Sequence, residues 1–467
     1  MRLRLAAHWL KTCTESHDQC KELRKNTVPL PSRVIDVGPP DGSQHPRLLE
    51  SRDQIGEYVA LSHCWGTAQV LTTTQRSMEK RLARIPLLTM PKTFRDAVRV
   101  VRMLEFRYLW IDSLCIIQDS DDDWAAEADQ MGTVYQNATL TIAAVGATSA
   151  SSGCFADYDG LWNRPVRVVS VPSRRKGAES DKPESIYAFQ HRTQETGYED
   201  TFRQRGPLDT RGWVLQEEVL STRILAFGTS GITWECLQMD ASECVPEGSL
   251  KESKRFYSRT FKRSLLDRAH PGHTTSEDPL IKAWCSLIEN YSKRNLTRQS
   301  DALAAVQGIA SVIGRETGNT YLAGLWQDGL HQQLLWHVSP GIINPKWKSY
   351  GLMVHTVEKV QPRRRPPGPH RRPNFTAPSW SWATVTHHLE WPFSQSVRPL
   401  FEVLDVKAGH DTFSSWTGRL KVRGMLKGAK AVIGDHEYVE DPTWFFFLFL
   451  SSLFYTCVVH LTEFRLN

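Results

Sequence analysis

Short apolar runs alternate with amphipathic stretches along residues 56–150 of this chain. Tyr58-Val-Ala-Leu61 is an unbroken apolar run that passes into Ser62-His-Cys-Trp-Gly66, the pattern of a buried strand and its end. Pro91 stands where a helix takes proline at its first position. Phe94, Ala97, Val98, Val101 and Leu104 then recur at helical spacing and predict one apolar face. Tyr108-Leu-Trp-Ile111 predicts a second strand, closed by Asp112. Ser120, or one of Asp121–Asp123, can cap the next helix, whose inward residues are Trp124, Ala128, Met131, Val134 and Tyr135. Thr139–Val145 predicts a third strand. Strands separated by helices of this length require crossovers, so the pattern argues for an α/β domain around a parallel sheet.

The pattern changes on either side. In residues 1–50, Leu5, Trp9, Leu10 and Cys13 share a helical face, and Pro29, Pro31, Pro39 and Pro40 then keep the chain extended. Residues 151–208 are polar, and Arg174–Glu184 has the charge and turn residues of a surface insertion. Arg211-Gly-Trp-Val-Leu-Gln-Glu-Glu218 begins a helix. Arg223–Phe227 and Ile232–Cys236, joined by Gly228-Thr-Ser-Gly231, predict a hairpin that completes an α/β domain over 51–240. Residues 241–345 read as helical: Leu280, Trp284, Leu287, Ile288 and Tyr291 share one face, and Ser300 is placed to cap a helix carrying Leu303, Val306, Ile309, Ala310 and Ile313. Residues 346–443 combine the basic, polyproline-prone linker Pro362–Pro373 with a β-like segment. Within 444–467, Trp444–Val459 is uncharged but shorter than the ~20 residues of a spanning helix. Membrane contact is therefore expected only if that tail is genuine, and an altered C-terminus is the favoured explanation.

Composition narrows the class. A length of 467 residues suggests about three folding units at roughly 150 residues each. With 40% hydrophobic and 23% charged residues the chain is neither collagen, coiled coil nor wholesale disorder. The surplus of 57 Lys+Arg over 51 Asp+Glu is small and gathers in one linker, so no firm nucleic-acid binding is expected. Nine scattered cysteines, and a start that His8 and Lys11 break before any apolar core forms, predict reduced thiols in the cytoplasm. Cys13, His17 and Cys20 have a zinc-like spacing, but structural zinc needs four ligands and no matching pair follows. Ordinary packing, with no metal, is the expectation there. The 16 tryptophans are the compositional oddity.

Ligands of open α/β sheets gather beyond the carboxyl ends of the strands. Ser62, His63, Trp65 and Gly66 follow the first strand; Asp112, Cys115 and Gln118 follow the second. Asp112 either orients a ligand or base, or caps the loop after it. Cys115 is a nucleophile only if His63 reaches and activates it. Ser62 and His63 are adjacent on a strand and point to opposite faces, which argues against a hydrolase pair. Glu217, with Arg211, is either a structural ion pair or a carboxylate set for glycosidic-bond cleavage. The chain has no Gly-x-Ser-x-Gly elbow, Walker A loop or Gly-x-Gly-x-x-Gly fingerprint.

Taken together, Tyr58–Gly66, Leu109–Gln118 and Arg211–Glu217 resemble the three signature blocks of the fungal heterokaryon-incompatibility (HET) domain. Trp9–Cys20 resembles the lead-in of such proteins; Leu296–Leu303, Tyr321–Trp326 and Ala377–Ala383 resemble their downstream blocks, so the likeness spans about 9–385. The resemblance implies fungal non-self recognition, with growth arrest or programmed death of fused cells brought about by self-assembly or protein partners. It assigns a functional cluster of Ser62, His63, Trp65, Gly66, Asp112, Cys115, Gln118, Arg211, Trp213, Gln216 and Glu217. HET domains are in turn distantly similar to Toll/interleukin-receptor (TIR) domains. The implied fold is α/β, a parallel-sheet TIR/flavodoxin-like core domain with insertions, followed by a mainly helical region. Some TIR domains cleave NAD with a glutamate. No Glu lies between Glu127 and Glu179, so that role would fall to Glu217 or Glu127, with NAD a substrate and no further cofactor expected.

Overall fold

The structure is a computed structural model. It describes residues 2–22, 28–66, 70–156, 206–249, 257–269, 279–338, 377–391, 401–412 and 415–424, and the backbone of 166–171, 184–188, 432–433 and 436–437. The charged stretch 174–183, the basic linker 362–373 and the tail 444–459 lie outside the described residues. The chain divides into two compact units, Met1–Gly272 and His273–Asn467.

The first unit opens with helices α1 (Arg2–Ser16) and α2 (Asp18–Glu22) and strands β1 (Arg33–Asp36), β2 (Arg47–Glu50) and β3 (Tyr58–Ser62). Helices α3 (Met78–Ala83) and α4 (Lys92–Met103) lead to β4 (Tyr108–Ile111), the single turn α5 (Asp112–Cys115), α6 (Asp121–Asn137) and β5 (Leu140–Ala143). A separate hairpin, β6 (Val166–Val171) and β7 (Glu184–Ala188), precedes α7 (Val214–Leu220). Strands β8 (Arg223–Gly228), β9 (Gly231–Cys236), β10 (Asp240–Ser242) and β11 (Val245–Ser249) and helix α8 (Tyr257–Ala269) complete the unit.

One nine-stranded sheet, ordered β11-β10-β9-β8-β5-β3-β4-β1-β2, carries this unit. Its centre is parallel: Leu61 pairs with Ile111 of β4 on one side and with Ile142 of β5 on the other, and Ala143 pairs with Ala226 of β8. This is the parallel core expected from the strand–helix alternation. The flanks are antiparallel, with β1 and β2 beyond β4, and β9, β10 and β11 beyond β8. Of these only the β8–β9 hairpin is legible beforehand, because Arg33–Asp36 and Arg47–Glu50 are four-residue strands without alternation. All five residues of β3 and all four of β5 are buried, as strands covered on both faces must be.

The helices cover the sheet through the expected stripes. Phe94, Ala97, Val98 and Val101 of α4 are buried, as are Ala128, Met131, Val134 and Tyr135 of α6. Pro91 is the N-cap of α4 and not its first residue; its carbonyl accepts from the Phe94 and Arg95 amides. Ser120 caps α6 by accepting from the Asp123 amide at 3.3 Å. Two tyrosines fasten α6 to β3: the Tyr58 hydroxyl donates to the Val134 carbonyl at 2.6 Å, and that of Tyr135 to the Leu61 carbonyl at 3.2 Å. On α1 the buried line is Ala6, Trp9 and Cys13, while Leu5 and Leu10 are half-buried. The Trp9 indole donates to the Pro246 carbonyl at 2.7 Å and its ring sits 6.5 Å from that of Trp234 in β9. This docking corrects one expectation: Cys13, His17 and Cys20 are not left without a fourth donor, since Cys236 at the end of β9 meets them.

The second unit contains α9 (Pro279–Tyr291), α10 (Ala304–Thr317), the pair β12 (Tyr321–Leu322) and β13 (Leu325–Trp326), α11 (Leu330–Gln333), the pair β14 (His337–Val338) and β15 (Leu389–Glu390), and the long hairpin β16 (Phe401–Thr412) and β17 (Ser415–Gly424). The anticipated apolar faces of α9 and α10 are buried. Ser300 does not cap α10. It lies in a 3-10 turn, Gln299–Asp301, and the helix proper follows Leu303. Tryptophan builds this unit's core: the Trp284 and Trp382 indoles both donate to the Gly324 carbonyl, at 3.0 and 2.7 Å, and Trp336 donates to the Trp380 carbonyl at 3.0 Å. These residues are framework anchors, each burying its ring while its N–H finds a carbonyl. Among the described residues no helix is long and apolar enough to cross a membrane.

Phe94 is fully buried beneath the sheet, whereas Leu88 is 90% exposed. In denaturant unfolding of the full chain, Phe94→Ala should cost about 3–5 kcal/mol and Leu88→Ala should stay within about 0.5 kcal/mol of wild type. Equal effects would show that the α4 stripe is not core.

Candidate functional site

In chain order the four parallel strands are arranged second, first, third, fourth, so the order reverses at β3. The crevice between β3 and β5 is therefore the switch point at which such sheets place ligands. The three motif blocks converge beside it. β3 and β4 end in register, which sets Ser62 and Asp112 on neighbouring strand ends. All seven residues of α7, including Gln216, Glu217 and Glu218, are buried there. A seven-residue helix that buries three consecutive polar side chains is not built for packing alone.

Ser62 and His63 part company at the end of β3, as strand alternation requires. Ser62 lines a small cavity with Glu217, Thr141, Ala143 and Leu208, and the cavity holds about 30 Å³, enough for one or two water molecules. Val145, Val214 and Ile224 form its apolar wall, and Cys64 belongs to the same buried apolar cluster. His63 packs the other way, edge-on to Phe94 with centroids 4.9 Å apart. Burial lowers its basicity more than the facing Asp112 restores it, so the ring is neutral at pH 7. The Asp112 carboxylate lies 3.7 Å from His63 Nδ1, too far for a direct hydrogen bond. It accepts instead from the Trp65 indole N–H at 2.8 Å and the Ser113 amide at 2.7 Å. Asp112 thus ties the first block to the second, and the cap reading describes its contacts.

Arg211 brings in the third block. Its guanidinium donates to the His63 carbonyl, crossing from the turn before α7 to the end of β3. Its charge also acts on Glu217. Burial pushes the Glu217 carboxyl up to about 7, and Asp112 adds to this, while the Ser62 hydroxyl, Arg211 and the Tyr135 hydroxyl hold it down. A carboxyl that titrates near neutrality in a dry wall is a functional-site signature. Gly66 has φ +80°, and a Cβ there would fall 2.4 Å from that of Ser149, so only glycine fits directly after Trp65.

Other candidates separate from this cluster. Cys115 is buried, burial drives its thiol far up, and its sulfur takes the Ile111 amide at 3.5 Å. No hydrogen bond joins it to His63, which removes the Cys–His nucleophile. Gln118 spends its amide on the Asp112 and Ile116 carbonyls, at 3.3 and 3.1 Å. Trp213 stacks edge-on against Trp124, 6.4 Å away, joining α6 to the start of α7. Glu127 is not at the cavity. It pairs with Arg33 at 3.2 Å, a cation it shares with Asp123, and lines a different, larger groove with Arg33, Glu50 and Tyr58. Sequence reasoning missed Tyr135 and Cys64, because their apolar settings in α6 and after β3 look like core; only the fold turns them toward Glu217.

The arrangement is an α/β domain whose three blocks form one charged, mostly buried cluster at the switch point of a parallel core. Residues 58–217 match the family model described as Heterokaryon incompatibility protein (HET), so the chain carries a HET domain. Its matched segment runs from the first residue of β3 to Glu217 and encloses the whole cluster. A domain of this description supports involvement in heterokaryon incompatibility and a fungal context. No curated protein and no solved structure matches the chain.

Folded Glu217 keeps its proton to about pH 7, whereas in the unfolded chain it ionises near 4.5. Its contribution to stability is full below the lower value and is lost as pH rises toward the upper one, by about 1.4 kcal/mol per pH unit. Glu217→Gln stays neutral. The stability of that variant relative to wild type should therefore climb between about pH 5 and 7 and level off above. A pH-independent difference in urea titrations would mean that Glu217 is hydrated in the folded protein.

Proposed function

We propose that this chain is an effector of fungal non-self recognition that promotes growth arrest or programmed cell death through docking or self-assembly of its α/β domain. The observation that carries the reading is how the cluster's polar groups are used. Asp112, Arg211 and Gln118 each reach across to another block or to backbone, and the enclosed space admits only a water or two. Such a network shapes a surface more readily than it turns over a substrate. Trp65, half-buried beside exposed Gly66, is its outlet to solvent. Expression in a filamentous fungus should arrest growth. Trp65→Ala and Asp112→Asn, accumulating to wild-type levels, should relieve the arrest, the first by removing the bond that links the blocks and the second by taking away its charge. Undiminished toxicity in both would rule out this cluster as the active surface.

Glu217 supports a second reading, TIR-type NAD glycohydrolysis. Its raised carboxyl and nearby Arg211, at the carboxyl ends of parallel strands, are the equipment for an oxocarbenium-like centre. On this reading the cavity must open to admit the nicotinamide ribose. Purified protein should then release nicotinamide from NAD, and Glu217→Gln should lose at least about 100-fold in rate. No release from concentrated wild-type protein would leave the docking mechanism standing alone.

A further inference from the structure

The junction between the first two helices and the β9–β10 turn lies outside the segment that defines the HET domain, and its chemistry is of another kind. Cys13 ends the buried line of α1, His17 sits in the break between α1 and α2, and Cys20 lies in α2. This three-residue set meets Cys236, the last residue of β9, 219 positions away from His17. All four side chains are buried, and one donor atom from each lies within 4.8 Å of all the others. The Cys236 sulfur is 3.4 Å from His17 Nδ1. Zinc bonds of about 2.3 Å to sulfur and 2.0–2.1 Å to nitrogen place tetrahedral donors about 3.5–3.8 Å apart. The Cys236–His17 separation already meets this spacing, and no pair of the four exceeds it by more than about 1.3 Å.

The surroundings of Cys13 and Cys20 fit thiolates, while the Cys236 sulfur lies 3.4 Å from His17 Nδ1 and 3.5 Å from the Met239 carbonyl. A thiol offers a proton and needs an acceptor; a metal-bound thiolate needs donors. Arg223 Nε donates to the Cys13 sulfur at 3.1 Å, and Arg223 is 1% exposed. The backbone amides of Leu237 and Gln238, in the turn after Cys236, face the Cys20 sulfur. Three thiolates, a neutral imidazole and a divalent ion sum to one negative charge, which the buried Arg223 guanidinium offsets. A disulfide would use two of these sulfurs and strand a third thiol and the imidazole. All eight cysteines among the described residues are free.

We propose that Cys13, His17, Cys20 and Cys236 bind one structural zinc ion. Three soft sulfurs and one imidazole select zinc over calcium, magnesium or manganese. Four protein donors leave no open position, so the ion is a staple and not a catalyst. It pins α1 and α2 to the β8–β9 hairpin, which follows α7 and borders the cavity at Ile224 and Ala226.

Elemental analysis of the full chain, purified without chelator, should find one zinc per molecule. Cys236→Ser and Cys20→Ser should lose it, while Cys285→Ser, in the second unit, should keep it. Because a Ser variant can fail to fold, the second measurement uses wild-type protein. Chelator-stripped chain should take up one cobalt(II), with tetrahedral visible bands and a thiolate charge-transfer band, and zinc should displace it. Cys236→His keeps four donors and should bind cobalt with a weaker charge-transfer band. Metal-free wild type without cobalt bands, iron in place of zinc, full zinc retention by Cys236→Ser, or a Cys13–Cys20 disulfide in anaerobically purified protein would each overturn the assignment.

Discussion

Strand β3 is buried on both faces and paired on both edges, and the rest of the first unit follows from that constraint. Its Val59, Ala60 and Leu61 pair with β4 and β5 simultaneously, so no residue of the strand can turn to water. The chain nevertheless leaves it through Ser62 and His63, two polar residues that are also buried. Burying polar groups without partners is costly. The polar groups that reach the strand's carboxyl end come from other elements: Asp112 after β4 faces the His63 ring at 3.7 Å, the Arg211 guanidinium takes the His63 carbonyl, and Glu217 faces Ser62. The convergence of the motif blocks meets this desolvation problem only in part: the imidazole nitrogens keep no hydrogen bond and burial holds the ring neutral, while burial raises the Glu217 carboxyl.

The same logic explains how tryptophan is used. Sixteen indoles could serve as a stacking platform, but several in the described core meet carbonyls or a carboxylate through their N–H, whereas the N–H groups of Trp110, Trp234, Trp326 and Trp380 are buried without a hydrogen bond. Trp9 reaches Pro246, Trp65 reaches Asp112, and Trp284 and Trp382 share Gly324. Each ring fills a large volume between elements while its single donor sets orientation. Trp65 differs from the others because its partner is charged and its ring is half-exposed, which couples the buried cluster to the surface.

The proposed metal site and the Glu217 cluster lie in one unit but obey different rules. The first closes its donors around one point and leaves nothing open. The second keeps a titratable carboxyl beside a small cavity. They are connected through β8, where Arg223 faces the Cys13 sulfur and Ile224 forms part of the cavity wall. Locking the N-terminal helices against this hairpin would hold that wall in place without any contact to Glu217 itself.

Periodicity and strand–helix alternation by themselves determined the parallel core. Tyr58–Leu61, Tyr108–Ile111 and the stripes of α4 and α6 carry their burial in their spacing, since each is long or apolar enough to have one stable setting. The motif residues were legible too, with Ser62, Asp112, Arg211 and Glu217 visible as polar groups at element ends. Tertiary structure alone decided which of them meet. Glu217 and Glu127 are equally acidic on paper, yet one is buried beside the small cavity and the other pairs with Arg33 from a flanking antiparallel strand whose four residues show no alternation. Cys236 makes the same point. Its spacing from Cys13, His17 and Cys20 has no local signature, because what joins them is a helix packing on a sheet, and no rule of neighbouring residues encodes a contact made 219 positions away.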